Sequence, residues 1–302
     1  MTATNDINRL AQFGHSIAEP EPTRDHPQLP ATGKAGRNLP AAIGVGVGLL
    51  VLVIALIFLP SPVLAVFITL VVCAALWELA GALARIGIHL ALPPLWVGTV
   101  GITVCAFLLG SEAVFGALCV TLLAVVLWCL MGSNTSAKSL RDNILASAFA
   151  GVYLPFLASF AVMIVSKFGD NWLFAVFVAL TVASDLGGYI AGVLAGKHPL
   201  APSVSPAKTW EGFTGSVLLS AGAGAISFSL LSLPVLPGVL LGMLSALFCT
   251  IGDLGESLIK RDLKLKDMGS LLPGHGGIMD RLDSLLINAP LVFTVFYLVI
   301  EA

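Results

Sequence analysis

The chain has 302 residues, 57% of them hydrophobic and 11% charged, with a formal net charge of −2 and a mean hydropathy of +0.98. A composition this apolar leaves too little polar surface to cover a water-soluble globule. No nucleic-acid partner is expected.

The first forty residues carry Pro20, Pro22, Pro27, Pro30 and Pro40 among polar and charged positions, without apolar periodicity, and read as a flexible tail (1–40). A cleaved signal peptide is not expected, because the apolar run begins only at residue 41. From there nine mostly apolar runs follow, at 41–59, 63–84, 95–109, 113–131, 144–166, 172–195, 213–233, 238–259 and 285–300. About 20 residues of helix cross the hydrocarbon of a bilayer while satisfying their own backbone. The sequence therefore predicts an all-α integral membrane protein of about nine transmembrane helices, with an N-terminal helical region at 41–183 and a chemically active one at 184–302.

Cytoplasmic loops collect Lys and Arg. With a cytoplasmic tail and nine spans, all basic residues but Lys167 fall on the cytoplasmic side, 14 of the 15. The expected location is the cell (inner or plasma) membrane, with the N-terminus and the polar site facing the cytoplasm. Cys73, Cys105, Cys119, Cys129 and Cys249 all lie within predicted spans and read as small packing residues.

Polar chemistry gathers in the last third. Asp185 sits well inside the sixth span in "SDLGGY", a costly place for an acid without a partner such as Lys208 or a cation. Gly187, Gly188, Gly192 and Gly196 read as helix-packing positions. The loop at 197–212 offers Lys197, His198, Ser203, Ser205, Lys208, Thr209 and Glu211 on the cytoplasmic side. Ten of the chain's 32 charged residues fall between Glu256 and Asp283. Asp253 and Glu256 are three apart on one face of the eighth span, and Asp280 and Asp283 are three apart at the mouth of the ninth. Antiparallel helices would bring Asp253 and Asp280 together, and facing carboxylates with oxygen-only ligation suit magnesium. Helix-end salt bridges to Lys260, Arg261 and Arg281 are the alternative on spacing alone. The "PGHGG" turn at 273–277 lets backbone amides approach an anion, or is a plain interhelical turn with His275 as a loop residue. Lys260, Arg261, Lys264, Lys266 and Arg281 are enough cations to hold several phosphates, or lipid headgroups alone.

These residues resemble the phosphatidate cytidylyltransferases, the CDP-diacylglycerol synthases. The family's hallmark block is matched by Ser257, Ile259, Lys260, Arg261, Lys266, Asp267, Gly269, Leu272, Pro273, His275, Gly276, Gly277, Ile278, Asp280, Arg281, Leu282 and Asp283. "SPAKTWEG" at 205–212 and "SDLGGY" at 184–189 look like two further blocks, so the match covers roughly the C-terminal 120 residues. The resemblance implies that Asp253 and Asp280 bind a catalytic divalent metal, with room for a second cation, and that CTP and phosphatidic acid give CDP-diacylglycerol and pyrophosphate. It also implies a homodimer in membrane lipid. Lys208, Lys260, Arg261, Lys266 and Arg281 are then assigned to phosphates, with His275 as donor or loop organiser. Asp185, Ser205, Thr209, Glu211, Asp267, Gly276, Gly277 and Asp283 complete the candidate site. A secondary transporter would place polar residues at mid-membrane in repeated halves, and a phosphotransferase using CDP-alcohols has a different Asp–Gly and paired-Asp spacing; neither pattern is present.

Overall fold

The computed structural model describes residues 44, 48, 51–131, 136–265, 267–269, 271 and 276–301. Predictions on the tail, the start of the first span, Lys266, Leu272, Pro273 and His275 lie outside the described residues. Residues 51–57 are helical. Nine further α-helices follow: α1 (Ser61–Ala84), α2 (Leu92–Leu108), α3 (Ser111–Met131), α4 (Ala137–Gly151), α5 (Leu157–Phe168), α6 (Asn171–Ala195), α7 (Trp210–Leu230), α8 (Val235–Asp262) and α9 (Met279–Ile300).

Among the described residues seven helical segments, counting 137–168 as one, are long and apolar enough to cross a membrane, so the chain is a multi-pass membrane protein. Its outer surface bears large exposed apolar side chains such as Leu186, Val193, Leu194, Leu218 and Leu230, as lipid contact requires and water would penalise. Predicted spans two to nine each coincide with a helix, but the third, α2, has only 17 residues. At 1.5 Å per residue it is about 25 Å long, short of a hydrocarbon core about 30 Å thick.

Local sequence sets the helix ends. Gly169, with φ of 63°, closes α5, and the Asp170 carboxylate then caps α6 by accepting the Trp172 N–H at 2.8 Å. Between α4 and α5 one π-helical turn (Val152–Phe156) carries Pro155, and a widened turn accommodates the ring that an α-turn would exclude. Several helices begin earlier than the apolar runs predict. In particular, α9 starts at Met279 rather than 285, because its first turns are polar; Asp280 and Asp283 are thus helix residues.

The all-α expectation needs one correction. The 197–212 loop contains an antiparallel hairpin, β1 (Pro199–Ala201) and β2 (Ser205–Thr209), with Pro199 opposite Thr209 and Ala201 opposite Ser205. The prolines at 199 and 206 mask the strand pattern, yet both strands are edges, where a missing N–H is tolerated.

In the C-terminal half α6 packs on α7, α7 on α8, and α8 on α9. Gly187 lies so close to α7 that a Cβ there would strike the Gly215 carbonyl, and Gly252 of α8 meets the Asp283 carbonyl of α9 in the same way. One apolar core joins Leu76 and Leu79 of α1 and Leu154 of the π-turn to Leu265, Met268 and Met279, which bracket the α8–α9 connection. That connection is therefore seated on the N-terminal half, and its acids are held in place from both sides.

Candidate active site

The C-terminal end of α8, the start of α9, the hairpin and the end of α6 surround one cavity of about 660 Å³. Asp253 projects from α8, and Lys208 from β2 crosses to it, Nζ to Oδ2 at 2.5 Å. Two turns further along α8, Lys260 Nζ donates to Glu256 Oε2 at 2.6 Å and to Asp280 Oδ1 at 3.0 Å. Glu256 is fully buried and Asp280 nearly so, so this one ammonium is shared by two buried acids that would otherwise have no cationic partner here.

Asp280 is held on its other side by backbone. The Met268 N–H donates to Oδ1 and Oδ2 at 3.2 and 3.0 Å, and the Gly277 N–H donates to Oδ2 at 2.8 Å. Gly276 makes that approach feasible. Its φ is +82°, and a Cβ would sit 3.1 Å from Asp280 Oδ2 and 3.2 Å from Asp267 Oδ1. Gly276 and Gly277 thus lie against a carboxylate of their own chain.

The cavity wall contains ten of the residues selected from sequence. Asp253, Lys260, Asp267, Asp280, Arg281 and Asp283 come from α8, α9 and their connection; Asp185, Ser205, Lys208 and Thr209 come from the other side. Asp185 lies within electrostatic reach of Asp253, Asp283, Lys208 and Arg281, while the direct Lys208 contact goes to Asp253.

Four other candidates do not line the cavity. Glu211 faces the hairpin: its Oε2 accepts the N–H groups of Lys197 and His198 at 3.1 and 3.2 Å, and its Oε1 lies 2.6 Å from His198 Nδ1. Thr209, besides lining the cavity, caps α7 by accepting the Gly212 N–H at 3.1 Å. Arg261 Nε donates to the Val204 carbonyl at 3.2 Å, tying α8 to the hairpin turn. Gly276 and Gly277 act through their backbone, as described.

Two residues close to the site went unselected from sequence. Glu78, an acid in the apolar helix α1, is fully buried, and its Oε2 accepts the Met279 N–H at 2.9 Å. The signal was present, since an intramembrane carboxylate is itself a functional marker. Tyr153, in the π-turn, lies within electrostatic reach of Asp283, Glu256 and Asp253. Nothing in its apolar sequence surroundings distinguishes it.

Among the described residues no group of three or more His, Cys, Asp or Glu side chains is placed to hold a metal ion. Magnesium at phosphate sites takes one or two carboxylates and completes its shell with water and substrate phosphates, so two protein carboxylates suffice. Asp253 fits, because it opens on the cavity and already holds a cationic group. Asp280 fits in chemistry, although its oxygens are occupied by Lys260 and backbone N–H groups.

The model of the cytidylyltransferase family matches residues 40–299. The chain belongs to that family. Phosphatidate cytidylyltransferase of Mycobacterium bovis is 39% identical over 288 residues, covering 89% of this chain and 92% of the relative. The Mycobacterium leprae phosphatidate cytidylyltransferase is 42% identical over 292 residues, 88% of this chain and 90% of the relative. That of Bacillus subtilis is 38% identical over 130 residues, 42% of this chain and 48% of the relative. Family membership thus extends well beyond the C-terminal blocks and takes in the N-terminal helices, while residues 1–39 fall outside the family model.

Proposed function

We propose that the protein transfers a cytidylyl group from CTP to phosphatidic acid, giving CDP-diacylglycerol and pyrophosphate for phospholipid synthesis. The observation that carries this reading is a single cavity at one end of the membrane helices, in which Lys208, Lys260 and Arg281 alternate with Asp253, Asp280 and Asp283. Two polyanions can be brought together only where cations offset their repulsion, and a lipid substrate requires that place to adjoin the bilayer.

In this reading an oxygen of the phosphatidate monoester attacks the α-phosphorus of CTP in line. The bond from that phosphorus to the bridging oxygen of the β-phosphate breaks, and pyrophosphate leaves with the electron pair. No protein nucleophile is needed, because a phosphate monoester is largely ionised at neutral pH. Lys208, Lys260 and Arg281 line the path and would neutralise phosphate oxygens, with Arg able to do so through a bidentate fork. Magnesium, held by Asp253 and Asp280, would supply Lewis-acid stabilisation of the phosphate charge. Lys208, now paired with Asp253, would then serve a phosphate instead. A second cation, a cytoplasmic orientation of the site and a homodimer belong to the same proposal.

The test is CTP consumption by purified protein in detergent with phosphatidate and magnesium, repeated after chelation. Formation of CDP-diacylglycerol that stops on chelation is expected. Consumption of labelled CDP-lipid in place of CTP would reject the reading in favour of a CDP-alcohol phosphotransferase.

A further inference from the structure

Glu78 is a fully buried acid that the proposed reaction does not use. It lies in α1, 201 residues before its partner Met279, whose N–H it accepts at 2.9 Å. The backbone N–H groups of Leu271 and Ile278 also approach its carboxylate. Two glycines leave room for it. A Cβ on Gly269 would collide with Glu78 Oε1, Cδ and Cγ, and one on Gly277 would lie 2.5 Å from Oε2 and 2.8 Å from the Gly269 nitrogen. Met268 and Met279, on either side, have no exposed surface.

One carboxylate therefore gathers both arms of the α8–α9 connection where they converge. The same neck holds Asp280. The amides of Met268 and Gly277 go to Asp280, and those of Leu271, Ile278 and Met279 face Glu78. An apolar side chain could fill this space, and an acid in an apolar helix is costly. What an apolar group cannot do is fix amide directions.

We propose that Glu78 is a positioning residue of the cytidylyl-transfer site, fixing the neck of the 268–279 connection and so setting where Asp280 and its partner Lys260 stand in the cavity. This inference rests on the functional reading above for its kinetic consequence, but not for its structural one.

The experiment uses the full chain in detergent. Glu78→Gln keeps the volume and turns one acceptor towards the amides as a donor. It should lower kcat at least tenfold while KM for CTP and for phosphatidate stays within about threefold. Hydrogen exchange in 268–279 should accelerate, with the protection of α2, α3 and α7 unchanged. A lowered melting temperature with kcat intact would make Glu78 a packing residue only, and would overturn the proposal. A second arm does not depend on that variant folding. Gly269→Ala places a methyl against the carboxylate and should cost at least tenfold in kcat, whereas Glu78→Asp withdraws the carboxylate by one methylene. The double variant should regain at least threefold over Gly269→Ala; losses that simply multiply would overturn the proposal. Absence of cytidylyl transfer by the unaltered protein would sink the functional reading alone. An unchanged exchange pattern in Glu78→Gln would sink this one alone.

Discussion

Lys208 of the hairpin and Asp253 of α8 form a direct ion pair, Nζ to Oδ2 at 2.5 Å, across the mouth of the cavity. With side chains 24% and 36% exposed, both remain open to a ligand. The pair joins elements 45 residues apart in sequence, and each partner is a ready counter-charge for one half of a metal–phosphate complex.

Asp253→Asn is accordingly expected to lower kcat at least hundredfold with the protein still inserted, and Lys208→Met at least tenfold. Under the proposed function the two would act on one ligand complex, so the double variant should be about as slow as Asp253→Asn alone. Turnover of CTP at saturating and limiting magnesium measures all three. Near-normal turnover of Asp253→Asn at limiting magnesium would remove it from the metal site.

How far this site was legible in the sequence depends on the kind of signal. Charges in an apolar chain are conspicuous, and Asp185, Lys208, Asp253, Lys260 and Asp280 could be selected on that ground alone. Spacing also put Asp280 and Asp283 on one face, and both line the cavity. What spacing does not give is the third partner. Lys260 bridges Glu256 four residues away, a helix-local contact, but also Asp280 twenty residues away, which depends on how α8 and α9 cross at Gly252. The hairpin was hidden by its prolines, and the role of Glu78 is invisible without the tertiary fold that seats Met279 against it.

Lys260 is the most exacting residue of the set for stability. Its side chain is 15% exposed and contacts two acids whose side chains are 0% and 3% exposed. Removing it by Lys260→Met leaves buried carboxylates uncompensated, an imbalance that typically costs about 3–5 kcal/mol. The expected result is a clear drop in the melting temperature in detergent, together with loss of turnover. Glu256→Gln, which removes one of the two acids and leaves Lys260 paired with Asp280, should be milder in both. A Lys260→Met protein as stable as the parent would show that the two acids are neutralised by other means.

Gly276→Ala tests the close approach of Gly276 to Asp280. A left-handed residue with a side chain costs about 1–2 kcal/mol by itself, and here the added methyl also presses on Asp280 and Asp267 at 3.1 and 3.2 Å. Because Asp280 is the residue displaced, turnover should fall at least tenfold while α1 to α7 keep their protection in hydrogen exchange. Full activity would mean that the turn has another conformation open to it.

The last prediction concerns which side of the membrane carries the cavity. The C-terminal end of α8, with Lys260 and Arg261 in its last turn, and the hairpin with Lys208 lie at the same end of the bundle, while Lys167 lies in the last turn of α5 and pairs with the C-terminal Glu301 at 3.1 Å. Basic residues accumulate on cytoplasmic loops because translocating them is costly, so the end with the cavity should face the cytoplasm, where CTP is made. Lys264, in the left-handed position that ends α8, is a suitable reporter: the chain leaves the helix there, with the Leu265 N–H donating back to the Lys260 carbonyl at 2.8 Å. A cysteine at 264 in a cysteine-free background should resist an impermeant thiol reagent in intact cells and react once the membrane is opened. A cysteine at Lys167 should react from outside. Labelling of 264 in intact cells would invert the orientation and separate the site from its nucleotide supply.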